Sequence, residues 1–243
     1  MVDIHSHILP DVDDGSGSME ESVNMARLAV DSGVDAIVAT PHFRGIPVEL
    51  EKISLIVNQG NRLVRELVRE NIPLELYPGA EILCLPETPL LGARGALPTL
   101  GNTRYLLTEF YFDESGDTMD DILSRLAGQG YSPVVAHPER YRAVARDPRL
   151  VRRWFDRGYV LQLNKGSVGG AFGERAQRTA LGMLRSGMAH LFASDAHGAD
   201  YRTPHMGAIR QWAEKNLDQD YARILLEENP RRVIAGQPMV PVE

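Results

Sequence analysis

The chain opens, after Met1, with Val2-Asp3-Ile4-His5-Ser6-His7-Ile8-Leu9-Pro10-Asp11-Val12-Asp13-Asp14-Gly15. Its apolar start alternating with polar residues has the period of a β-strand. On a strand, residues i and i+2 share a face, so His5 and His7 aim two imidazoles at one point. The loop that follows carries Asp11, Asp13 and Asp14. Carboxylates beside imidazoles suit a divalent transition ion, although an acidic loop beside two hydrogen-bonded histidines would read the same way in isolation. Later polar residues decide between the two.

Working outward, Ser18-Met19-Glu20-Glu21 has the form of a capping box and starts a helix that runs to about residue 32, where Gly33 stops it. Short apolar runs then recur along the chain. Residues 36–40, 74–77, 105–108, 133–136, 160–163 and 190–193 read as buried parallel strands. Between them, amphipathic segments at 48–70, 118–128, 148–157 and from Gly173 to about residue 184 read as helices. The first of these is expected to turn Ile53, Ile56, Val57, Leu63, Val64, Leu67 and Val68 inward. Residues 84–103, rich in Pro, Gly and Leu, read as a loop with one helical turn and leave seven or eight strands open. The tail from Met206 to Ala235 reads as two or three helices. With no linker and no composition break, the expected fold is α/β, a parallel TIM-like barrel forming one domain over 1–243.

Composition narrows the function. The net charge of -7 argues against a general nucleic-acid surface, and a single cysteine, Cys84, excludes an internal disulfide framework. No basic-then-apolar leader and no apolar run approaching about 18 residues is visible, so a soluble cytoplasmic protein without membrane insertion is expected. A thiolate phosphatase needs Arg six positions after its Cys, whereas Leu90 stands there after Cys84. Neither a phosphate-cradling G-x-x-x-x-G-K-[ST] loop nor a G-x-S-x-G elbow is present.

In parallel barrels the chemistry sits at the C-terminal ends of the strands. Here those ends carry His5 and His7, His42, Glu81, Glu109, His137, and Asp195 with His197. Only His190, at the start of a strand, reads as structural. Together with Asp14 these donors exceed what one ion uses. Two or three ions are expected, with Glu81 or Asp195 as a natural bridge. Arg140 and Arg202 follow ligand-bearing strand ends, and guanidinium groups suit phosphate oxygens, which favours a phosphate ester over an amide.

The ordered set D-I-H-S-H-I-L-P-D-V-D-D-G, A-T-P-H, G-A-E-I, T-E-F, A-H-P-E-R-Y, Q-L-N-K-G-S, F-G and S-D-A-H resembles the polymerase and histidinol phosphatase (PHP) superfamily. Within it, the chain resembles the manganese-dependent protein-tyrosine phosphatases encoded with bacterial capsular and exopolysaccharide synthesis genes. The resemblance implies a distorted seven-stranded (β/α)7 barrel holding three divalent ions, Mn²⁺ or alternatively iron, cobalt or zinc. It implies that His5, His7, Glu81 and Asp195 hold the first, Glu81, Glu109 and His137 the second, and Asp14, His42 and His197 the third. Arg140 and Arg202 would bind phosphate, and the substrate would be the tyrosine-rich tail of a bacterial tyrosine kinase. Tyr201 stands before Arg202 where the family often has glycine.

A phenolate leaving group with a pKa near 10 needs little acid assistance. If an acid is used, His205 is the candidate. The alternatives are a small-molecule phosphatase of the histidinol-phosphate type, an amide hydrolase, and a metal-binding regulatory domain without catalysis. Glu20, Glu21 and Arg27 on the first helix either face solvent or pair across an oligomer interface.

Overall fold

A computed structural model describes residues 1–44 and 50–242. Its strands, all paired in parallel, are β1 (Val2–Ser6), β2 (Ala36–Ala39), β3 (His42–Phe43), β4 (Glu75–Pro78), β5 (Glu81–Leu83), β6 (Tyr105–Glu109), β7 (Ser132–Ala136), β8 (Val160–Asn164) and β9 (Leu191–Ala193). They form a three-stranded sheet β1-β2-β4 and a six-stranded sheet β3-β5-β6-β7-β8-β9.

The two sheets are one interrupted barrel. β3 continues the path of β2 past Thr40-Pro41, and β5 continues β4 past Gly79-Ala80, so among the described residues nine strands make seven staves. The ring closes where Ser6 bridges Ala196 in parallel and the N–H of Asp195 donates to His5 O at 2.9 Å. The expectation of one strand at 74–77 is corrected here: the third stave is two short strands. Proline at 78 is confined to strand margins, and a side chain at Gly79 would meet Val38 Cγ1 at 2.8 Å, so the stave breaks there and restarts at Glu81. Residues 84–103 contribute the helix Thr88–Gly92 and a 3-10 turn at Leu100–Asn102 but no strand, which settles the count at seven staves.

Strand alternation sorts the core into two clusters. Val38, Leu107, Val134, Val160 and Leu191 pack in the barrel interior with Tyr105, while Val233 and Leu100 close its N-terminal end. The alternate positions Ile37, Leu106, Val135, Leu161 and Phe192 pack outward against helix residues such as Met25, Leu63, Met119, Trp154 and Met183. The tail holds the helices Gly207–Asn216, Gln219–Arg223 and Asn229–Ile234, the last two joined by a π turn at Ile224–Glu228.

Helix α1 (Met19–Asp31) has the predicted N-cap, with Ser18 Oγ accepting the N–H of Glu21 at 3.1 Å, but Glu21 reaches one residue beyond the N-cap and accepts the N–H of Gly17 at 2.9 Å. Arg27 pairs with Glu70 of the same chain at 2.8 Å. Helix α2 is described over Leu50–Arg69; residues 48 and 49, also expected in it, lie outside the described residues. Its inward face is narrower than expected. Ile56, Gln59, Leu63 and Leu67 are buried, whereas Val57, Val64 and Val68 are 53%, 42% and 73% exposed. The helix rests on α1 and β4 along a single seam at a spacing of three and four, so residues one step off that seam face solvent.

Candidate metal centre

The C-terminal ends of the staves bring the expected ligands together. His5 lies on β1, His7 just beyond it, His42 begins β3, Glu81 begins β5, Glu109 ends β6, His137 follows β7, and Asp195 and His197 follow β9. The breaks in the second and third staves place His42 beside Glu81, which pair in register.

Glu81 is the hub. Its Oε1 is 3.2 Å from His5 Nε2 and 3.1 Å from His137 Nε2, and its Oε2 is 3.4 Å from His7 Nε2 and 3.0 Å from His42 Nδ1. Glu109 lies 3.6 Å from His42 Nδ1 and 3.7 Å from His137 Nε2. Asp14 Oδ1 stands 3.3 Å from His42 Nε2 and 3.7 Å from His197 Nε2. Asp195 Oδ1 is 3.5 Å from His5 Nε2, 3.7 Å from His7 Nε2 and 3.6 Å from His197 Nδ1. Among the described residues, three groups have candidate ligand atoms within 4.8 Å of one another: His5, His7 and Glu81; His42, Glu81 and Glu109; and His7, Asp14, His42 and His197.

The donor set fits multivalent cations. His5 Nε2 and His7 Nε2 face each other at 3.3 Å, and the outer nitrogen of each ring is engaged elsewhere: His7 Nδ1 with Asp13 at 2.7 Å, His5 Nδ1 with Gln162 Oε1 at 3.0 Å. An acceptor on Nδ1–H leaves Nε2 as the inward nitrogen, able to ligate an ion once its proton is displaced, the arrangement of metal-ligating histidines. Asp13 also accepts the N–H of His42 at 2.8 Å, tying two ligand-bearing segments to one carboxylate. Asn164 Nδ2 donates to Asp195 Oδ2 at 2.7 Å.

Charge in this cluster is set by burial against dense pairing. Burial opposes charge on His5, but Glu81 and Asp195 outweigh it and raise the imidazole to about 9. Burial likewise opposes charge on His7, yet its hydrogen bonds to Asp13 and Glu81 raise it to about 10. At His137 burial wins and lowers the group to about 4, and at His197 burial, then the charge of His7, does the same. Glu81 resists its burial through the surrounding imidazoles, His5 foremost, and lies well below the usual carboxylate range. Glu109 is pushed up to about 7, by burial first and then by repulsion from Glu81.

Both arginines reach this floor. Arg140 Nη1 donates to Asp195 Oδ2 at 3.1 Å, and Arg202 Nη2 forms an ion pair with the same oxygen at 2.5 Å. The Arg140 guanidinium carbon lies 4.5 Å from the centre of the Phe112 ring and 4.3 Å from that of Phe172, and Arg202 stands over Phe172 at 5.7 Å. The buried Arg202 Nε has no hydrogen-bond partner among the described residues. His137, Asp195 and Arg202 adopt φ of 35, 51 and 49°, the left-handed region that non-glycine residues seldom enter and that concentrates at functional sites. Lys165 Nζ donates to Thr203 O and His205 O at 2.5 and 2.7 Å, pinning the segment after Arg202. His205 itself is exposed, its ring accepting the N–H of Gly207 at 3.3 Å, outside the cluster.

Sequence reasoning placed Asp13 in the acidic loop, and Gln162, Asn164 and Phe172 in motifs of the resemblance, without giving any of them a role, and it missed Phe112 as part of the site. The signal for two of them was present: Gln162 and Asn164 stand two apart on a strand otherwise apolar, a polar pair aimed where Val160 points. Cys84 is buried, and its thiol is pushed up by burial, as a packing residue requires.

Comparison with known proteins agrees with this geometry. Residues 1–235 match the family model described as capsular polysaccharide synthesis, CpsB/CapC. Tyrosine-protein phosphatase YwqE of Bacillus subtilis is 34% identical over 247 residues, spanning 100% of this chain and 97% of its own. Tyrosine-protein phosphatase CpsB of Streptococcus pneumoniae is 34% identical over 244 residues, spanning 98% and 99%. A crystal structure from the work on YwqE and CpsB, there termed metal-dependent tyrosine phosphatases, superposes with a TM-score of 0.88 at 33% identity over 100% of both chains. The phosphotriesterase homology protein of Escherichia coli shares the fold, with a TM-score of 0.60 at 13% identity over 96% of this chain and 98% of its own. With the family model matched along nearly its whole length, the chain belongs to the capsular polysaccharide synthesis family CpsB/CapC.

Proposed function

We propose that the chain, acting as one PHP-type domain over 1–243, is a metal-dependent protein-tyrosine phosphatase of the cytoplasm. Its substrate would be phosphotyrosine on the tyrosine-rich tail of a bacterial tyrosine kinase that controls capsular or exopolysaccharide synthesis. The observation that carries this reading is the meeting of Arg140 and Arg202 on one oxygen of Asp195, beside the imidazole and carboxylate floor, with Arg202 Nε unpartnered among the described residues. Two guanidinium groups that reach one carboxylate oxygen can reach one phosphoryl group.

His5, His7, Glu81 and Asp195 would hold one divalent ion, Glu81, Glu109 and His137 a second, and Asp14, His42 and His197 a third. Mn²⁺ suits the mixed shell, as would iron, cobalt or zinc. When bound, such ions supply Lewis-acid stabilisation of phosphoryl charge and an acidified water. The chain's own residues do the rest. Arg140 and Arg202 orient the phosphoryl oxygens and stabilise their charge, and Phe112 and Phe172 keep the Arg140 guanidinium on its line. Asp13 and Gln162 hold the His7 and His5 rings in their ligating tautomers. The leaving tyrosine departs as phenolate without strong proton donation, so His205, standing in solvent, serves at most to relay a proton.

The test is turnover of a phosphotyrosine peptide by metal-stripped protein refilled with Mn²⁺, alongside histidinol phosphate, repeated with His137→Ala and Arg140→Ala. Mn²⁺-dependent peptide hydrolysis that falls by about 100-fold or more in both variants is expected. Preference for histidinol phosphate would overturn the substrate. Activity toward amides that is indifferent to Arg140, or no activity at all, would reopen the amide-hydrolase and regulatory readings.

A further inference from the structure

The organic part of a phosphate ester must leave the cluster in some direction, and the structure marks one. Glu109 ends β6, and the chain runs on as Phe110-Tyr111-Phe112. Phe110 is buried, but Tyr111 and Phe112 are 51% and 41% exposed. Two consecutive aromatic side chains left in solvent at the rim of a charged site are a costly arrangement unless something covers them. The backbone around them is tied down: Phe112 O accepts the N–H of Arg142 at 2.9 Å and Tyr111 O that of Glu114 at 2.9 Å.

These residues line a cavity of about 200 Å³ together with Leu83, His42, Arg44 and Glu109. A cavity of roughly 150 Å³ with apolar walls is known to take up one benzene ring, so this volume suits a single phenyl ring laid against the Leu83, Tyr111 and Phe112 side, with His42, Arg44 and Glu109 forming the polar side. The cavity and the metal centre share His42 and Glu109, so a group in it is contiguous with the floor. On the other side, Phe112 stacks on Arg140, whose guanidinium lies 4.5 Å from its ring centre. Phe112 therefore joins the phosphate-binding end to the apolar end.

We propose that Tyr111, Phe112 and Leu83 form an aryl subsite that takes the phenyl ring of the phosphorylated residue and gives the enzyme its preference for aryl over alkyl phosphates. The proposal rests on the phosphatase reading above. Offset or edge-on contact with Tyr111 and Phe112 would hold the ring while its phosphoryl group lies on Arg140 and Arg202. Phosphoserine and small alkyl phosphates would leave the cavity unfilled and bind more weakly.

The experiment compares inhibition of the Mn²⁺-loaded enzyme, or binding by calorimetry, for benzylphosphonate, methylphosphonate and inorganic phosphate, using wild type, Tyr111→Ala, Phe112→Leu and Phe112→Tyr. Benzylphosphonate is expected to bind wild type about tenfold or more tightly than methylphosphonate. Tyr111→Ala should remove most of that margin while leaving inorganic phosphate within about twofold. Phe112→Leu should weaken benzylphosphonate, and Phe112→Tyr should restore it.

Equal affinity of wild type for the two phosphonates, or a margin untouched by Tyr111→Ala and Phe112→Leu, would overturn the subsite. Calorimetry needs no turnover, so it separates the two ideas. Loss of peptide hydrolysis with the benzyl margin intact would fault the reaction, whereas hydrolysis without the margin would fault only the subsite. Because Tyr111 is exposed, its truncation does not endanger the fold, and circular dichroism of each variant checks this.

Discussion

Asp13 shows how much of the centre depends on a residue that would touch no ion. Its carboxylate accepts from His7 Nδ1, His42 N–H and Gly15 N–H, and it is lowered to about 2: burial opposes this, but the hydrogen bond and charge of His7 prevail. The turn that delivers it has no room for change, since a Cβ at Gly15 would lie 2.1 Å from His7 O. Asp13→Ala should leave His7 free to rotate and weaken Mn²⁺ binding by about 10- to 100-fold, read by calorimetric titration of stripped protein. Unchanged affinity would mean that packing alone orients His7. Asp13 and Asp14 are adjacent in sequence and equivalent in composition. Only the folded turn separates the one that faces the imidazole Nδ1 from the one that stands 3.3 Å from His42 Nε2.

At the scale of elements, α2 separates pattern from placement. Its apolar residues cover more of the helix circumference than the seam on α1 and β4 can bury, so periodicity alone could not say which valines would be left out. Leu63 is fully buried, and Leu63→Ala should cost about 2–5 kcal/mol of stability. Val64, its neighbour, is 42% exposed, and Val64→Lys should stay within about 0.5 kcal/mol. Urea unfolding of both variants decides the matter; a large loss in Val64→Lys would show that this face is covered in solution. The capping of α1 was legible because Ser18 and Glu21 act within one turn, where local chemistry is the whole determinant.

At the scale of the whole molecule, His190 joins the barrel to its tail. Its Nδ1 accepts the N–H of Leu161 at 3.1 Å, its ring stacks on Phe155 at 5.1 Å, and its carbonyl accepts from Asn229 Nδ2 at 2.9 Å. Burial lowers it from 6.5 to about 4. The folded value is below the unfolded one, so the unfolded chain binds the proton first. The contribution to stability is complete above about pH 6.5 and is lost as pH falls toward 4. His190→Asn keeps an acceptor for Leu161 N–H without the titration. Between pH 8 and pH 5, stripped wild type should lose about 2 kcal/mol more stability than this variant, measured by urea unfolding at each pH. Identical slopes would show that His190 does not titrate in this window.

The order of strands and the residues that meet in the candidate metal centre were legible in the chain. Buried parallel strands are short apolar runs, and the barrel places its chemistry at their ends, so His5, His7, His42, Glu81, Glu109, His137, Asp195 and His197 could be picked out residue by residue. The split staves at Thr40-Pro41 and Gly79-Ala80 were not legible. Neither was the stacking of Arg140 between Phe112 and Phe172, nor the turning of His5 and His7 by Gln162 and Asp13. The division follows from range. Periodicity and capping are set by neighbours within a few residues, whereas these contacts join side chains as far as 157 positions apart, and they exist only once the ring has closed.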